Sequence, residues 1–405
     1  MFNDFLNKTH ESQTELFLLY LQQLKTYKIA YITETSPDDK HAWSGTAHYA
    51  YTSLKKQGHS VFALGPKYPK FVNFICKVIN QFTLLFLRKR FDYRHSIIYS
   101  KAFGRLFSKE LRKLNYDIII ICGGTEYCAY IESDKPLFII VDRTIQGAIN
   151  YHPVLSNLLN FSERESIYTD KKAMFKSTKT FFSSQWAAEH AKTFYQLPGN
   201  KISVLPFGAN LDRIPSRETA LKPKDTSIWN LFLIGTSWKN KGVDIALNAL
   251  QHLLKNNIKA HLTIVGCTAP HELKNENITI IPFIDKNSEN GIKELWQLFF
   301  SHHFFILPTR FDCTPIVFCE ASAFGLPILS SDTGGVRGHV KEGENGFLIP
   351  FDDQGRQYAE KIMSIIATKV SYLNLCLTTR NCFEEELNWE IWAEKFTNEI
   401  TKSIP

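Results

Sequence analysis

Leu231-Phe-Leu-Ile-Gly235-Thr-Ser-Trp-Lys239-Asn-Lys241-Gly242-Val-Asp244 reads as a strand stopped by glycine, a loop with two lysines, and a helix opening near Val243. Helical spacing of apolar residues continues over Val243–Leu254, and a second β-branched run follows at His261–Val265. The same strand–helix order repeats outward in both directions. Later strands are expected at Ile278–Pro282, Phe304–Pro308, Pro327–Ser330 and Gly346–Ile349, with a helical period at Ile292–Phe300. Earlier ones are expected at Lys28–Ile32, Ser60–Leu64, Asp117–Cys122, Leu137–Val141, Thr180–Ser184 and Ile202–Leu205. Most of these runs are apolar throughout rather than alternating, which suits parallel strands buried on both faces. The expectation is therefore α/β: two doubly wound domains facing each other, with a ligand cleft at the carboxyl ends of their strands.

A length of 405 residues accommodates two such domains. The stretch Gly208–Thr226 gathers Pro215, Pro223, Asp212, Ser216, Lys222 and Lys224 with little periodicity, as a linker does. The division is then a first domain over 1–210, a linker over 211–226, a second domain over 227–383 and a terminal segment over 384–405. In that last segment Glu384–Lys402 alternates acids with Leu387, Trp389, Ile391, Trp392 and Phe396, the pattern of a surface-packing helix.

Apolar residues make up 44% and charged residues 21%, which excludes disordered, collagenous and coiled-coil classes. The start, Met1 to Gln13, lacks a basic segment followed by an apolar run, so no secretory signal is read there. The longest unbroken apolar runs, near Ile118–Cys122 and Leu137–Val141, fall far short of the ~20 residues of a spanning helix. Eight cysteines show no Cys-x-x-Cys pair and no zinc spacing. Cys122 with Cys128, or Cys313 with Cys319, are the conceivable pairs, and reduced thiols fit better. A soluble protein of a reducing cytoplasm is the expectation.

Three segments carry candidate chemistry. Lys239 and Lys241 sit where a strand-to-helix loop can neutralise a diphosphate, or they are ordinary solvated loop charges. Pro308-Thr-Arg-Phe-Asp312-Cys-Thr314-Pro315-Ile-Val-Phe-Cys-Glu320-Ala-Ser-Ala-Phe-Gly-Leu-Pro327 predicts a helix capped by Thr314, with Pro315 at its first position and free amides for an anion. Glu320 falls about one and a half turns into an otherwise apolar helix, Ile316 to Leu326. Burying it requires hydrogen-bond donors, which ribose hydroxyls or backbone amides supply. Gly334-Gly335 follows a strand and either lets the backbone approach a ligand or makes a plain turn. Gly-x-Gly-x-x-Gly, Walker and Gly-x-Ser-x-Gly patterns are missing where dehydrogenase, ATPase or serine hydrolase chemistry needs them.

Taken together these segments resemble the retaining, nucleotide-sugar-dependent glycosyltransferases of family 4 (glycosyl transferases group 1), which have the GT-B fold of two Rossmann-like domains. In the first half the likeness rests on Lys28-Ile-Ala-Tyr-Ile-Thr, Trp43-Ser44-Gly45-Thr46, Leu54-Lys-Lys-Gln-Gly58-His59, Ser183-Ser-Gln-Trp186 and Val204-Leu-Pro-Phe-Gly208-Ala-Asn-Leu-Asp212. In the second half it rests on the two acids separated by seven residues, Asp312 and Glu320. The resemblance implies that Glu320 binds the donor ribose, Asp312 faces the transferred sugar, Lys241 holds the diphosphate and Gly45 lets its loop approach the phosphates. Gly235, Thr236, Lys239, Thr314, Pro315 and Ile316 complete the implied donor site. Asp142 stands where the family commonly has histidine, and with Lys241 and Asp312 forms the implied catalytic set. Thr236 replaces a common arginine, so Lys239 would supply its charge. Asp312 is one methylene shorter than the usual glutamate, and Cys313-Thr314-Pro315 replaces Gly-Phe-Gly.

The implied reaction is a front-face substitution at the anomeric carbon by a hexosyltransferase, with no metal and no cofactor beyond the nucleotide-sugar donor. The leaving diphosphate accepts the proton of a glycan or lipid-linked saccharide acceptor, as in polysaccharide biosynthesis. The resemblance also implies domain closure and a carboxy-terminal helix crossing back to the first domain. A nucleotide-sugar epimerase of the same fold and a catalytically silent sugar-nucleotide-binding protein are the alternatives.

Charge clusters between Lys67 and Lys113, where twelve Lys and Arg stand against Asp92 and Glu110; the whole chain carries +7. Phe71, Phe74, Ile75, Phe82, Leu84, Leu85, Phe86 and Leu87 are interleaved beside Arg88-Lys89-Arg90. Two readings stand. Residues 67–113 make a basic aromatic face for anionic lipid, peripheral on the inner face of the membrane, or a helical insertion packs its apolar side on the sheet. Nucleic acid is not expected, since no binding motif accompanies the charge. His302-His303, Trp389 and Trp392 read as structural, and Tyr151-His152 as candidates for the acceptor side.

Overall fold

The computed structural model describes residues 25–404 except His41, His271, Glu272 and Lys274. The amino-terminal stretch from which no secretory signal was read lies outside the described residues.

The twelve expected strands are all present. They are β1 (Lys28–Ile32), β2 (Ser60–Leu64), β3 (Ile118–Cys122), β4 (Leu137–Val141), β5 (Lys179–Phe182), β6 (Ile202–Val204), β7 (Trp229–Ile234), β8 (Ala260–Val265), β9 (Ile278–Ile281), β10 (Phe304–Leu307), β11 (Ile328–Ser331) and β12 (Gly346–Ile349). They form two six-stranded sheets, ordered β2-β1-β3-β4-β5-β6 and β12-β11-β10-β7-β8-β9, with every pairing parallel.

The continuous apolar runs have the predicted cause. β3 and β4 are buried at every position. Ile119 and Ile121 pack into one cluster with Phe103, Phe107 and Met174. Ile118, Ile120 and Cys122 point the other way, into a cluster with Ala50, Leu54, Trp392 and Phe396. Alternate side chains thus serve two cores, and each needs a helical layer. In the second sheet, one core joins Phe232, Phe299, Phe305, Phe318 and Phe324. All eight cysteines are free and buried.

Two local expectations are corrected. Glu384 and Glu385 do not open the terminal helix, because they finish the preceding one, Lys369–Glu385. The terminal helix is Trp389–Ser403, capped by Asn388, whose side chain accepts the Ile391 N–H. It lies over the first sheet beside the helix Thr46–Lys56. Trp389 stacks on Phe207, Thr397 Oγ1 meets His59 Nε2 at 2.9 Å, and Glu399 pairs with Lys179 at 2.9 Å. The helix after β10 runs from Ile316 to Ala323 with Pro315 in the cap position and no side-chain cap. Thr314 is therefore outside it. The helix also ends before Leu326, where Gly325 takes φ +60°.

Candidate functional site

In each sheet the strand order reverses once, between β1 and β3 and between β7 and β10. Loops leaving the carboxyl ends of the strands separate at these switch points and leave a crevice where α/β proteins bind ligands. The two crevices face each other, and the sequence candidates fall on their loops.

On the second-domain side, the loops after β7 and β10 are clamped together. The Arg310 guanidinium donates to both carboxylate oxygens of Asp244, at 2.8 and 2.7 Å, and to the Lys239 carbonyl at 2.5 Å. Gly242 has φ +68°, and a β-carbon there would sit 1.9 Å from the Pro308 carbonyl oxygen. Gly235 leaves room for the Lys241 stem, whose Cγ would lie 2.4 Å from any added β-carbon. Lys241 is thereby laid across the end of β7, and its Nζ donates to Asp312 Oδ2 at 2.6 Å. Thr236 and Lys239 lie exposed on the rim of this loop.

Glu320 is 1% exposed. Its partner is Lys286, whose Nζ stands 3.3 and 3.4 Å from the two carboxylate oxygens. A buried carboxylate held by one long, half-exposed lysine retains unsatisfied acceptor capacity. The helix opening offers fewer free amides than the cap pattern suggested. Thr314 N–H donates to Asp312 Oδ1, Ile316 N–H to the Thr314 carbonyl, and Phe318 N–H to the Pro315 carbonyl. Pro315 and Ile316 are buried, and Ile316 joins the first-domain core beside Phe207.

The first-domain wall comes from the loops after β1 and β4. Trp43, Ser44 and Gly45 take φ of 48°, 56° and 89° in succession just before the helix Thr46–Lys56. Left-handed backbone at two non-glycine residues persists only where surroundings enforce it. Trp43 Nε1 donates to Asp142 Oδ2 at 3.1 Å, and Asn210 Nδ2 donates to the Ser44 carbonyl at 2.7 Å. Asp142 Oδ1 also accepts from Arg143 Nη1 at 3.0 Å. Burial works against the Arg143 charge, but the acidic groups around it, Asp142 foremost with Glu126 and Asp170 behind, together push the guanidinium above its ordinary range. Its Nε is buried without a partner.

Direct contacts close the crevice. Asp312 N–H donates to the Tyr151 hydroxyl at 2.9 Å, and that hydroxyl lies 3.2 Å from Thr333 Oγ1. Ser183 Oγ bonds Thr314 Oγ1. The paired glycines belong to this contact. A β-carbon on Gly334 would meet Tyr151 Oη at 2.1 Å, and one on Gly335 the Cys313 carbonyl oxygen at 1.8 Å. What remains between the walls is a cavity of about 170 Å³ lined by Trp43, Asp142, Arg143, His152, Phe311 and Asp312 among others. Burial, helped by Arg143, pushes the His152 imidazole toward its neutral form. A larger hollow of about 550 Å³ lies beside Pro223, Lys224 and Phe300, at the strand-start end of the second sheet. The carboxyl-end location makes the smaller cavity the candidate site.

The structure therefore brings Lys241, Gly235, Asp312 and Asp142 to one crevice and leaves Thr236 and Lys239 at its edge. Arg143 and Lys286 were not singled out. Arg143 had a signal, a cation directly after the end of a buried strand. Lys286 had none, since it reaches Glu320 from 34 residues earlier in the chain. Among the described residues, no group of three or more His, Cys, Asp or Glu side chains is placed to hold a metal ion.

The family model "Glycosyl transferases group 1" matches residues 230–368, most of the second domain. Spore coat protein SA of Bacillus subtilis is 25% identical over 190 residues, 43% of this chain and 48% of that protein. The chain thus spans about half the length of that relative. Sucrose-phosphate synthase from Thermosynechococcus elongatus superposes with a TM-score of 0.65 at 14% identity, over 93% of this chain and 99% of that one. The Anabaena protein Alr3699/HepE, solved with UDP and glucose, gives 0.59 at 12% identity, over 93% and 99%. The fold is the two-domain α/β architecture of GT-B glycosyltransferases.

Proposed function

We propose that the chain is a retaining glycosyltransferase that moves a hexose from a nucleotide-diphosphate donor to a growing glycan or lipid-linked saccharide. One observation carries this reading. The Lys241–Asp312 pair and the buried Glu320 stand at a sheet switch point, inside the segment that matches the glycosyltransferase model.

In this reading Glu320 accepts hydrogen bonds from the donor ribose, displacing the long contacts to Lys286. Lys241 turns from Asp312 to the diphosphate, and Asp312 Oδ2 is released to accept from hydroxyls of the transferred sugar. The bond from the anomeric carbon to the diphosphate oxygen breaks as the acceptor oxygen adds on the same face. The acceptor proton passes to the leaving diphosphate. Lys241 stabilises charge that grows on that oxygen, so its contribution is larger in the transition state than in the ground state. Arg143, with a free Nε beside Asp142, adds positive charge on the opposite wall. The reading needs no metal, because these two cations face the diphosphate.

A cavity of about 170 Å³ is smaller than the ~300–1,000 Å³ of small-molecule sites. The donor therefore enters when the domains part, breaking the Tyr151–Asp312 and Ser183–Thr314 contacts, and these re-form on closure with the Lys241 amine swung off Asp312 to make room for it. The experiment is calorimetry with UDP-, GDP- and ADP-sugars, followed by donor turnover without acceptor and by the anomeric configuration of the product. A donor that binds and slowly hydrolyses supports the transferase, and binding without any turnover leaves only a sugar-nucleotide-binding protein.

A further inference from the structure

The helix Lys70–Leu87 is inside out. Asn73, Cys76, Asn80 and Thr83 form its packed face. Tyr99 Oη donates to Asn73 Oδ1 at 3.2 Å, and Phe91 N–H donates to Asn80 Oδ1 at 2.9 Å. At 100° per residue, the opposite arc of about 140° holds only apolar side chains. On it Phe71, Phe74, Val78, Phe82, Leu85 and Phe86 are each more than half exposed. A surface helix ordinarily turns such a stripe to the core. The alternative of an insertion packing its apolar side on the sheet is overturned, because that side faces outward while the hydrogen-bonding side packs against the helix Ile97–Leu111 and the turn Tyr93–His95 before it. No unbroken apolar run announced this helix, since Asn73, Lys77, Asn80 and Gln81 interrupt it.

Positive charge borders the stripe. Lys70 and Lys77 lie along one edge of the arc, and Arg88 follows its end, all exposed. The two acids between Lys67 and Lys113 are consumed internally: Glu110 pairs with Lys67 and Lys113, and Asp92 with the buried His95. The apolar surface continues past the helix. Arg90 donates to the carbonyl of exposed Val154, and exposed Phe161 lies 5.7 Å from Phe91.

We infer that this helix seats the first domain on an anionic phospholipid bilayer, lying in the boundary between headgroups and acyl chains. Charge complementarity selects this occupant. In a symmetric pairing with a second copy, the cations bordering one stripe would meet the same cations on the other. An anionic bilayer matches both the apolar arc and its basic border. The helix lies along the surface rather than across it, because Asn73 and Asn80 tie it lengthwise to the domain. The inference stands independently of the glycosyltransferase reading.

The test is flotation of the full chain with phosphatidylcholine vesicles, pure or carrying 30 mol% phosphatidylglycerol. Recovery at least ~10-fold higher on the anionic vesicles, reduced by 0.5 M salt, is expected. The variant Phe74→Ser/Phe82→Ser/Phe86→Ser should lose at least ~10-fold of that recovery while keeping its circular dichroism and its response to nucleotide sugars. No recovery on either vesicle, or undiminished recovery of a folded variant, overturns the inference. So does a wild-type dimer that the variant converts to monomer without any vesicle binding. If the triple variant fails to fold, Val78→Trp keeps the face apolar. Quenching of its added fluorescence by brominated phosphatidylglycerol is then expected, and no quenching overturns the inference.

Discussion

The Tyr151 hydroxyl oxygen, on the first domain, accepts the backbone N–H of Asp312, on the second, at 2.9 Å. The residue proposed to read the transferred sugar is thus positioned by the opposite domain, so its geometry is complete only when the crevice is shut. Tyr151→Phe removes this acceptor and leaves the ring packed near Phe311 and Trp186. A hydrogen bond of about 1 kcal/mol corresponds to a roughly five-fold fall in kcat/KM. Steady-state kinetics should show that fall with little change in melting temperature.

Lys241→Ala should lower kcat by about 10²-fold or more, and donor affinity by much less, as for a group whose interaction strengthens at the transition state. Turnover under donor saturation, beside calorimetric donor binding, separates the two effects. Equal losses in both would make Lys241 a simple binding residue.

Glu320→Ala should weaken nucleotide-sugar binding by about 10- to 100-fold, the range for charge-assisted hydrogen bonds of roughly 1.5–3 kcal/mol. Calorimetry measures this directly. Lys286→Ala removes only the competitor, and should leave binding intact or tighten it.

Gly242→Ala and Gly343→Ala separate two kinds of backbone constraint. Both glycines have positive φ, +68° and +77°. Gly343 has open space around a would-be β-carbon, so its substitution should cost only about 1–2 kcal/mol of conformational strain. Gly242 adds a collision with the Pro308 carbonyl that would push apart the two loops of the site. Denaturant melts should show Gly242→Ala as clearly the more destabilised, with activity lost before the fold.

Three buried histidines of the second domain set an acid limit. His302, His303 and His339 are at most 5% exposed, and burial pushes each down to about 4. An unfolded chain protonates them near 6.5, so on acidification the unfolded state takes up protons first. Their stabilisation is complete above about pH 6.5 and is lost progressively toward pH 4. At pH 5 each costs about 2 kcal/mol. Melting temperature should therefore fall steeply from pH 7 to pH 5, and less steeply in a folded His339→Leu variant.

Much of the fold was legible because parallel strands buried on both faces leave a local signature. Ile118–Cys122 and Leu137–Val141 have no polar residue to place on either side. Asp312 and Glu320 were legible as neighbours because spacing along one loop and helix survives folding, and Lys241 was legible as a cation at the carboxyl end of a strand; its meeting with Asp312, 71 residues away, is a tertiary contact. What failed were relationships set by tertiary contact. Thr314 has the chemistry of a cap, yet its hydroxyl bonds Ser183 of the other domain. Lys286 meets Glu320 only through the packing of separate segments. The polarity of Lys70–Leu87 needed the structure as well, because periodicity reports a stripe but not which way it faces.

The terminal helix has a consequence for how the chain is made. Trp392 and Phe396, buried against Ala50, Phe138 and Phe181, belong to the core of the first sheet but are encoded after the whole second domain. A ribosome must therefore translate nearly four hundred codons before the earliest strands can bury that face. Until then the part of that face that the helix Thr46–Lys56 leaves uncovered stays bare, a ready binding surface for chaperones.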